Sequence, residues 1–586
     1  MNPGGESGPE DARLTSRRSI LRVGRVQRAG VNILLFATLG ASVAALVGLA
    51  RRWEAPMRAA VEIDLSPAAL PVYTLLSLSR GLAAYLLSLV FTLVVGTAAA
   101  HSKRAERVLI PLLDIGQGIP VLGFLPGLVL GMVALFPGSN VGLELACIVM
   151  IFTGQVWNMA FSYYGSVRAV PTELTEVARI HRFSWGRRFR TVELSSAVIG
   201  LVWNSMMSMA GGWFFLTVNE AFTLGTRDFR LPGIGSYMAV AIEKDDRRAM
   251  AWALVAMTVM IVSVDQLLWR PLVAWSQRFR TEDVGGEKPP SSWVLDLLRR
   301  STVLRRVRSA LRAAREARAG RRAEAALAEI PAGRGAAFRS AIGWIVGAAA
   351  VAASAAGGLA VLRLLVRVTP AEWRLVGTGL GATALRTAAA LALALLWTLP
   401  AGILIGRRPS LARRLQPVVQ IVASFPAPMI FPLVTGGLLA LHVPFGAIAA
   451  VLMLLGAQWY VLFNVLAGAS AIPGDLDEAA RISRLSGPAT WRVLLVPGVF
   501  PFLVTGLVTA AGGAWNASIV AETLTYRGRT LETFGLGSLI TRATQEANFP
   551  LLAAGVLTMS MALVLLNRTV WRRLWTLAAT KYSLNR

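Results

Sequence analysis

Apolar runs of about 20 residues, each with few or no charged side chains, recur along this chain of 586 residues. A helix of that length crosses a hydrocarbon core of roughly 30 Å and satisfies its own backbone hydrogen bonds there. Hydrophobic residues make up 55% of the chain and charged residues only 16%, a balance that a soluble domain could not accommodate. Because the runs show no period-two alternation, they do not suit a membrane β-barrel. The sequence therefore predicts an all-α integral membrane protein.

Twelve of these runs are predicted to span the membrane, six in each half of the chain. The first, residues 31–50, is too long for a typical signal-peptide core and ends at Arg51 without a convincing cleavage site, so it is interpreted as a retained span. The other predicted spans cover residues 76–100, 117–136, 141–164, 195–219, 249–269, 341–365, 383–405, 418–441, 444–468, 497–521 and 549–567.

The predicted spans divide the chain into four segments: a basic tail (1–30), a first repeat (31–275), a basic linker (276–340) and a second repeat (341–586). Residues 270–340 hold sixteen arginines and lysines. An amphipathic cytoplasmic helix on the membrane surface fits this segment, and a solvated basic linker fits it equally well. The apolar residues at helix-like intervals are Trp293, Leu297, Leu304, Val307 and Leu311.

The two halves are copies of one another. At a constant offset of 302 residues, 154–236 aligns with 456–538 without a gap, and upstream an offset of 306 aligns Arg80 with Arg386. Because each half has six predicted spans in the same orientation, the halves are predicted to be parallel repeats about an axis along the membrane normal. A single solute pathway would then follow their interface.

Positive charge is concentrated in the predicted loops. With the amino terminus inside, the cytoplasmic segments hold 43 of the 59 lysines and arginines, as the positive-inside rule requires. Both termini are therefore predicted to be cytoplasmic. The net charge of +27 belongs to these loops, and with four lysines and no basic stripe interleaved with aromatic residues it does not favour nucleic-acid binding.

Two charged segments interrupt the apolar pattern at matching positions, 171–194 (PTELTEVARIHRFSWGRRFRTVEL) and 473–496 (PGDLDEAARISRLSGPATWRVLLV). Each begins with proline, continues with acidic residues and then has arginines, an order that complements a helix dipole and predicts a short helix. Ala178 and Ala480 keep one face small, which suits insertion into a groove of a partner protein. An ordinary positive-inside loop would explain the arginines but not the constant spacing of the pair.

These segments resemble the EAA loop of type I ABC importer permeases, with EVARIHRFSWGRRF and EAARISRLSGPATW in place of the family's Glu-Ala-Ala stretch. More narrowly, Ser424–Leu433, Gly512–Glu522 and Gly535–Leu539 resemble duplicated permeases for nitrate, sulfonate, taurine and bicarbonate. Arg182 and Arg484 replace the glycine that the family usually carries six residues after the motif's glutamate. The resemblance implies a bacterial inner-membrane permease fold and a small anion as solute.

In the family, each loop forms a coupling helix that docks on a cytoplasmic ATPase. The resemblance thus implies two ABC ATPase subunits at coupling loops of about 166–193 and 470–496, with a periplasmic or lipid-anchored substrate-binding protein delivering the solute. Alternating access between the halves would follow. The residues expected to couple to the ATPases are Glu173, Glu176, Ala178, Arg179, Arg182, Asp475, Glu478, Ala480, Arg481 and Arg484.

The sequence offers no catalytic or cofactor motif. It lacks GxxxxGK[ST], so ATP and Mg are expected on the partner ATPase subunits, with no cofactor on this chain. Cys147 is the only cysteine and the three histidines are far apart, which excludes an intrachain disulfide and disfavours a metal site. Without a nucleophile and base or paired carboxylates, the chain is predicted to be a transport subunit and not an enzyme.

Polar, charged and matched aromatic residues within the predicted spans are candidates for lining the pathway. For most, a structural alternative stands beside that role: the tryptophans could pack, the glutamates could be solvated at outer span ends, and the arginines could attract an anion or anchor spans to headgroups. Five prolines are predicted to break helices beside the pathway or to kink them, at positions 120, 126, 426, 428 and 432. The pathway candidates are Asn158, Asn204, Trp213, Glu220, Asn464, Trp515, Asn516, Glu522, Arg80 and Arg386.

Two other functions remain open at this point. Fused permeases also occur for ferric iron and thiamine. An ATP-independent secondary transporter would suit parallel halves, although the paired charged segments would then have no purpose.

Overall fold

The computed structural model describes residues 61–225, 227–279, 292–300, 306, 309–310, 352 and 355–582. The chain divides into a larger unit (Trp53–Asp265 and Ala360–Arg586) and a smaller one (Met1–Arg52 and Gln266–Leu359). The predicted span 31–50 lies outside the described residues, as do most of 341–354 and the linker residues Leu304, Val307 and Leu311.

The larger unit begins with the first repeat, whose long helices alternate with short ones. Its strands β1 (Ala221–Leu224) and β2 (Arg227–Arg230) form an antiparallel hairpin in which Ala221 pairs with Arg230. Its helices are α1 Leu70–His101, α2 Lys103–Gly118, α3 Leu125–Leu135, α4 Val141–Arg168, α5 Thr172–Ile180, α6 Trp185–Arg188, α7 Leu194–Asn219, α8 Ile234–Glu243 and α9 Arg247–Val264.

The smaller unit is described over only part of its length. Helices α10 (Arg270–Ser276) and α11 (Trp293–Arg300) pack together, and the Trp293 indole donates a hydrogen bond of 3.3 Å to Gln266 Oε1. A further apolar helix, Ala355–Leu365, lies within the predicted span 341–365. In the described part of the predicted linker, Trp293–Arg300 is a short helix, Gln277–Phe279 forms a 3-10 turn, and residues 306, 309 and 310 are also helical.

The second repeat follows the same order of elements as the first. Its hairpin consists of β3 (Thr523–Tyr526) and β4 (Arg529–Glu532), again antiparallel. Its helices are α12 Pro370–Gly406, α13 Pro409–Ala423, α14 Ala427–Ala440, α15 Phe445–Ser470, α16 Gly474–Ile482, α17 Pro488–Thr490, α18 Val496–Ala521, α19 Leu536–Gln545, α20 Phe549–Leu566 and α21 Arg572–Lys581.

The described residues contain eight helices long and apolar enough to cross a membrane, or up to ten when two bent helix pairs are counted as spans. The bent pairs correct the prediction of simple spans at 117–136 and 418–441. Each is bent by close to a right angle, 89° in the first repeat and 88° in the second. Pro120 and Pro426 stand at the breaks in extended conformation, and proline both lacks a backbone N–H and disfavours helix at the preceding residue.

The repeats also match in a finer detail. A five-residue turn of π-helix precedes α7 at Phe189–Glu193, and another precedes α18 at Trp491–Leu495, 302 residues later. A second pair of π-turns, Asp265–Trp269 and Asn567–Trp571, has the same spacing. The offset found in the sequence therefore extends to local helix irregularities.

Within each repeat, one central helix packs against two others, α4 against α1 and α7, and α15 against α12 and α18. The two repeats also contact each other within the larger unit. Helix α14 packs against α7, Asn567 Nδ2 donates to Asp114 Oδ1 at 3.0 Å, and the Gly225 amide in the first hairpin donates to Thr544 O of α19 at 3.3 Å. These contacts join the two repeats of the larger unit.

Candidate functional site

A cavity of about 560 Å³ lies between the two repeats of the larger unit. Helices α4 and α7 of the first repeat and α13, α15 and α18 of the second supply most of its wall. Two matched pairs from α4 and α15 face it, Gly154/Gly456 and Trp157/Trp459. The predicted interface between parallel halves thus contains a space that could hold a small solute.

The cavity wall is aromatic and uncharged. Among the described residues that line it there is no aspartate, glutamate, lysine, arginine or histidine. Its hydrogen-bonding side chains are hydroxyls, carboxamides and the indoles of the tryptophans. The aromatic residues are Trp157, Trp203, Phe214, Phe215, Phe425, Trp459, Tyr460 and Phe463.

Two of the predicted pathway residues, Asn158 and Asn516, line this cavity. Asn516 is already engaged, because its Oδ1 accepts a hydrogen bond of 2.8 Å from the Val121 amide and its Nδ2 donates to Gly512 O at 3.1 Å. Val121 directly follows the helix break at Pro120. Asn516, a residue of the second repeat, therefore fixes the position of the broken helix in the first repeat.

Four other pathway candidates pack within one repeat and lie outside the cavity wall. Asn204 Nδ2 donates to Ser162 Oγ at 2.9 Å, which ties α7 to α4, and Asn464 Nδ2 donates to Tyr460 O in its own helix. Trp213 and Trp515 are buried. A Cβ at Gly81 would lie 2.7 Å from the Trp213 ring, so glycine at that position permits the close packing of α1 and α7.

Arg80 and Glu220 belong to a buried network in the first repeat. The Arg80 guanidinium forms two hydrogen bonds with Glu144, at 2.6 and 2.8 Å, and one with Glu220 Oε1 at 2.7 Å. Ser77 donates to the same Glu220 oxygen at 2.6 Å, and the Gly235 amide donates to Oε2 at 2.7 Å. Since Arg80 and Glu220 are fully buried, these side chains join α1, α4 and α8 and are neither solvated nor directed to headgroups.

The second repeat carries a reduced version of this network. Arg386 Nη1 donates to Glu522 Oε1 at 2.8 Å, and Thr383 takes the place of Ser77 with a bond of 2.7 Å to the same oxygen. Gly446 stands at the position of Glu144, and Arg386 Nη2 donates instead to the hydroxyl of Thr533 at 2.8 Å. Arg386 thus has one carboxylate where Arg80 has two, and its side chain is 16% exposed.

Glu144, Ser77 and Thr383 are not among the pathway residues predicted from the sequence. Glu144 could have been found, because it is an ionisable residue inside the predicted span 141–164 and so meets the criterion used for the other candidates. Serine and threonine carry no comparable signal, since both are common in membrane helices, where the hydroxyl bonds to the preceding turn.

The two charged segments form the predicted short helices, α5 and α16, directly after Pro171 and Pro473. The acidic and basic residues predicted to couple to ATPases are exposed in both: Glu173, Glu176, Arg179, Arg182, Asp475, Glu478, Arg481 and Arg484.

The small face of each helix lies inward, contrary to the expectation that it would enter a partner's groove. Ala178 is 3% exposed and Ala480 is 7% exposed, so the alanines permit close packing within this chain. Larger aliphatic side chains face outward instead, above all Ile180, 76% exposed, and Ile482, 82% exposed. A partner would therefore meet an aliphatic and charged surface.

Arg182 and Arg484 end these helices in a left-handed conformation. Their φ angles are +47° and +53°, and the amides of Phe183 and Leu485 close the turns by donating to Ala178 O and Ala480 O at 2.9 Å. Glycine favours this position because it has no Cβ to clash with the backbone. The geometry explains why glycine would suit this position.

Replacing Arg182 or Arg484 with glycine is expected to raise the free energy of unfolding by about 1 kcal/mol, by relieving the left-handed strain. Arg179→Gly, inside helix α5, is the matched control and is expected to lower it by about the same amount. Equilibrium unfolding of the purified chain in detergent measures both changes. A loss of stability in all three variants would contradict this account of the helix ends.

The two short helices are attached differently. Asp477 of α16 forms an ion pair with Arg407, which follows α12. The equivalent positions in the first repeat are Thr175 and His101, and His101 Nε2 contacts Glu193 at 2.9 Å instead. Among the described residues, none in α5 forms an ion pair, so the two helices are not equivalent.

The family model described as "Binding-protein-dependent transport system inner membrane component" matches the chain twice, at residues 89–268 and 398–570, together more than half of its length. The chain belongs to this family. Membership confirms the resemblance drawn from the charged segments and the all-α fold with two repeats. It also confirms the prediction of a membrane transport subunit rather than an enzyme.

Individual relatives carry more specific names. The bicarbonate transport system permease protein CmpB of Synechocystis sp. is 30% identical over 138 residues, 23% of this chain and 48% of the relative. The putative aliphatic sulfonates transport permease protein SsuC of Bacillus subtilis is 28% identical over 145 residues, 25% of this chain and 50% of the relative. The taurine transport system permease protein TauC of Escherichia coli is 26% identical over 199 residues, 33% of this chain and 68% of the relative. The chain spans about half the length of the first two.

Proposed function

We propose that this chain is the transmembrane subunit of an ATP-driven, binding-protein-dependent importer for a small anion. The observation that carries the proposal is a cavity lined by two matched repeats, each of which also presents an exposed nine-residue helix. Relatives named for bicarbonate and aliphatic sulfonates support an anionic solute, and a relative named for taurine supports a solute with a sulfonate group.

Each short helix would dock on one cytoplasmic ATPase subunit, where ATP and Mg bind. The arginine distribution supports a cytoplasmic position for these helices and both termini. A periplasmic or lipid-anchored binding protein would deliver the solute on the opposite side of the inner membrane.

The cavity would open alternately to the two sides as the repeats move. ATP binding can drive this change only if the closed ATPase pair binds one arrangement of the repeats more tightly than the other. A difference of about 5.5 kcal/mol in binding free energy between two states moves their equilibrium from 1:99 to 99:1. Docking at two helices would divide this free energy between two interfaces.

The lining of the cavity argues against ferric iron and the short helices argue against a secondary transporter, whereas thiamine stays an alternative solute. Ferric iron is a hard cation that calls for anionic oxygen ligands, and the described cavity wall contains no carboxylate. A secondary transporter would leave the paired, exposed short helices without a partner.

The decisive experiment is ATP-dependent uptake by the full chain co-expressed with candidate ABC ATPase and substrate-binding protein subunits. We expect the ATPase to co-purify with the chain and uptake to require ATP. Uptake by the chain alone in liposomes, driven by an ion gradient, would instead establish a secondary transporter.

Matched substitutions in the two short helices are expected to impair uptake unequally. Glu176→Ala should reduce it about tenfold and Glu478→Ala about threefold, the size of effect expected from one charge-assisted contact at an interface. The reason is that α16 then retains Asp475 and Asp477, the latter in its ion pair with Arg407, whereas α5 retains only Glu173. Initial uptake rates at equal expression measure this difference, and equal losses would indicate symmetric coupling.

A further inference from the structure

The cavity contains hydrogen-bonding groups that the protein itself does not use. The side-chain carboxamides of Gln117, Asn158, Gln416 and Gln420 line it and have no hydrogen-bond partner among the described residues. Each carboxamide offers two N–H donors. Gln416 and Gln420 are four residues apart on α13 and therefore lie on the same face of that helix. This set can donate several hydrogen bonds to an oxyanion without placing a fixed charge in the cavity.

The aromatic part of the wall is held in place by its neighbours. The Trp157 ring lies so close to Gly116 that a Cβ there would be 2.4 Å from it. The Trp459 ring packs edge-to-face against Trp397, with ring centroids 6.1 Å apart, and the Trp397 indole donates to Gln458 at 3.0 Å. These tryptophans present two apolar surfaces of defined position.

The two kinds of surface suit different parts of one molecule. The face of an aromatic ring carries partial negative charge, so an anionic group is favoured at the amides and an apolar group at the rings. A bare inorganic anion such as nitrate would gain the amide contacts but would leave the aromatic surface exposed to water. Moving an ion from water is costly, and neutral donors offset only part of that cost.

We propose that this cavity receives an organic oxyanion, with a sulfonate or carboxylate head at the carboxamides and an apolar or aromatic body against Trp157 and Trp459. This rests on the proposed function, in which the cavity is the solute pathway. Burial of the body supplies the affinity that the uncharged head site lacks, while the absence of a fixed positive charge lets the anion leave again. Inorganic anions are poor occupants.

Binding of four named probes to the full chain in lipid nanodiscs tests this proposal. Tryptophan fluorescence is a suitable signal because Trp157, Trp203 and Trp459 line the cavity. We expect benzenesulfonate to bind at least about tenfold more tightly than methanesulfonate or nitrate, because only benzenesulfonate buries a ring. Benzyltrimethylammonium carries the same ring with a positive charge, and we expect it to bind more weakly than benzenesulfonate.

Substitutions distinguish the binding site of the anionic head, at the carboxamides, from that of the apolar body, at Trp157 and Trp459. Calorimetry measures binding to each variant without relying on tryptophan fluorescence. The double variant Gln416→Ala, Gln420→Ala should weaken both sulfonates about tenfold. Trp459→Ala should weaken benzenesulfonate to a similar extent and leave methanesulfonate unchanged, and Phe463→Ala provides the same comparison if Trp459→Ala does not fold. Trp373→Ala, on an exposed part of α12, is the control and should change neither.

The proposal is overturned if nitrate binds as tightly as benzenesulfonate, if the ammonium probe binds more tightly, if Trp459→Ala and Phe463→Ala weaken both sulfonates equally, or if the double glutamine variant weakens neither. None of these measurements requires an ATPase. The proposed function is tested by different experiments, and it is contradicted if the chain binds no ATPase or shows no ATP-dependent uptake.

Discussion

Arg80→Met is expected to lower the free energy of unfolding by about 3–5 kcal/mol, the loss typical when one partner of a buried ion pair is removed. Arg80 is fully buried and forms ion pairs with both Glu144 and Glu220. Methionine fills much of the same space but leaves two carboxylates without their counter-charge. Unfolding of the purified chain in detergent, followed by circular dichroism, measures the loss.

The second repeat provides a matched comparison. Arg386→Met should cost less, about 1–3 kcal/mol, because Arg386 pairs with one carboxylate and is partly exposed to solvent. The exposed Arg529→Met is the control and should change stability by less than about 0.5 kcal/mol. Adding Glu144→Gln to Arg80→Met should restore part of the lost stability, because it removes one uncompensated charge. Equal losses at the two arginines, or no rescue, would show that the pairing with Glu144 does not determine the difference.

Ile180→Asp combined with Ile482→Asp is expected to reduce ATPase affinity by at least about a hundredfold. Both isoleucines project from the short helices and would become buried on docking. The substitution removes apolar contact and also buries a carboxylate, so the cost exceeds that of truncation to alanine. Co-purification and titration of the ATPase against the chain in nanodiscs measure the change.

The control for this pair is Thr530→Asp, which adds a carboxylate on the exposed strand β4 and should leave ATPase affinity unchanged. Each isoleucine variant alone should retain one docking site and an intermediate affinity. Full ATPase binding by the double variant would show that these helices do not form the docking surface and would remove the main support for the proposed coupling.

Several features were predictable from the sequence because they depend on local pattern. Ten of the twelve predicted spans correspond to described helices or bent helix pairs, since the length of an apolar run determines whether a helix can cross a bilayer. The short helices α5 and α16 also form where proline, acidic residues and arginine occur in that order. The constant offsets identified the two repeats before any contact was known.

Which surface each polar side chain faces, the cavity or a neighbouring helix, was not predictable in this way. Asn158 and Asn204 both lie in predicted spans, yet Asn158 faces the cavity and Asn204 bonds to Ser162. The alanines of the short helices could have faced a partner as readily as their own protein. A sequence pattern does not state which neighbouring helix covers a given face, because that depends on contacts between residues far apart in the chain.

The sequence by itself determined the membrane-spanning helices, the repeats and the positions of the two short helices, because length, periodicity and local charge order are sufficient for these. Only the tertiary structure decided that Arg80 binds two carboxylates and Arg386 one, that Asn516 holds the broken helix at Val121, and that the cavity wall is free of charge among the described residues. These features arise where elements distant in sequence meet, and ionic and hydrogen-bonded contacts depend on distances of a few ångströms that spacing along the chain does not specify.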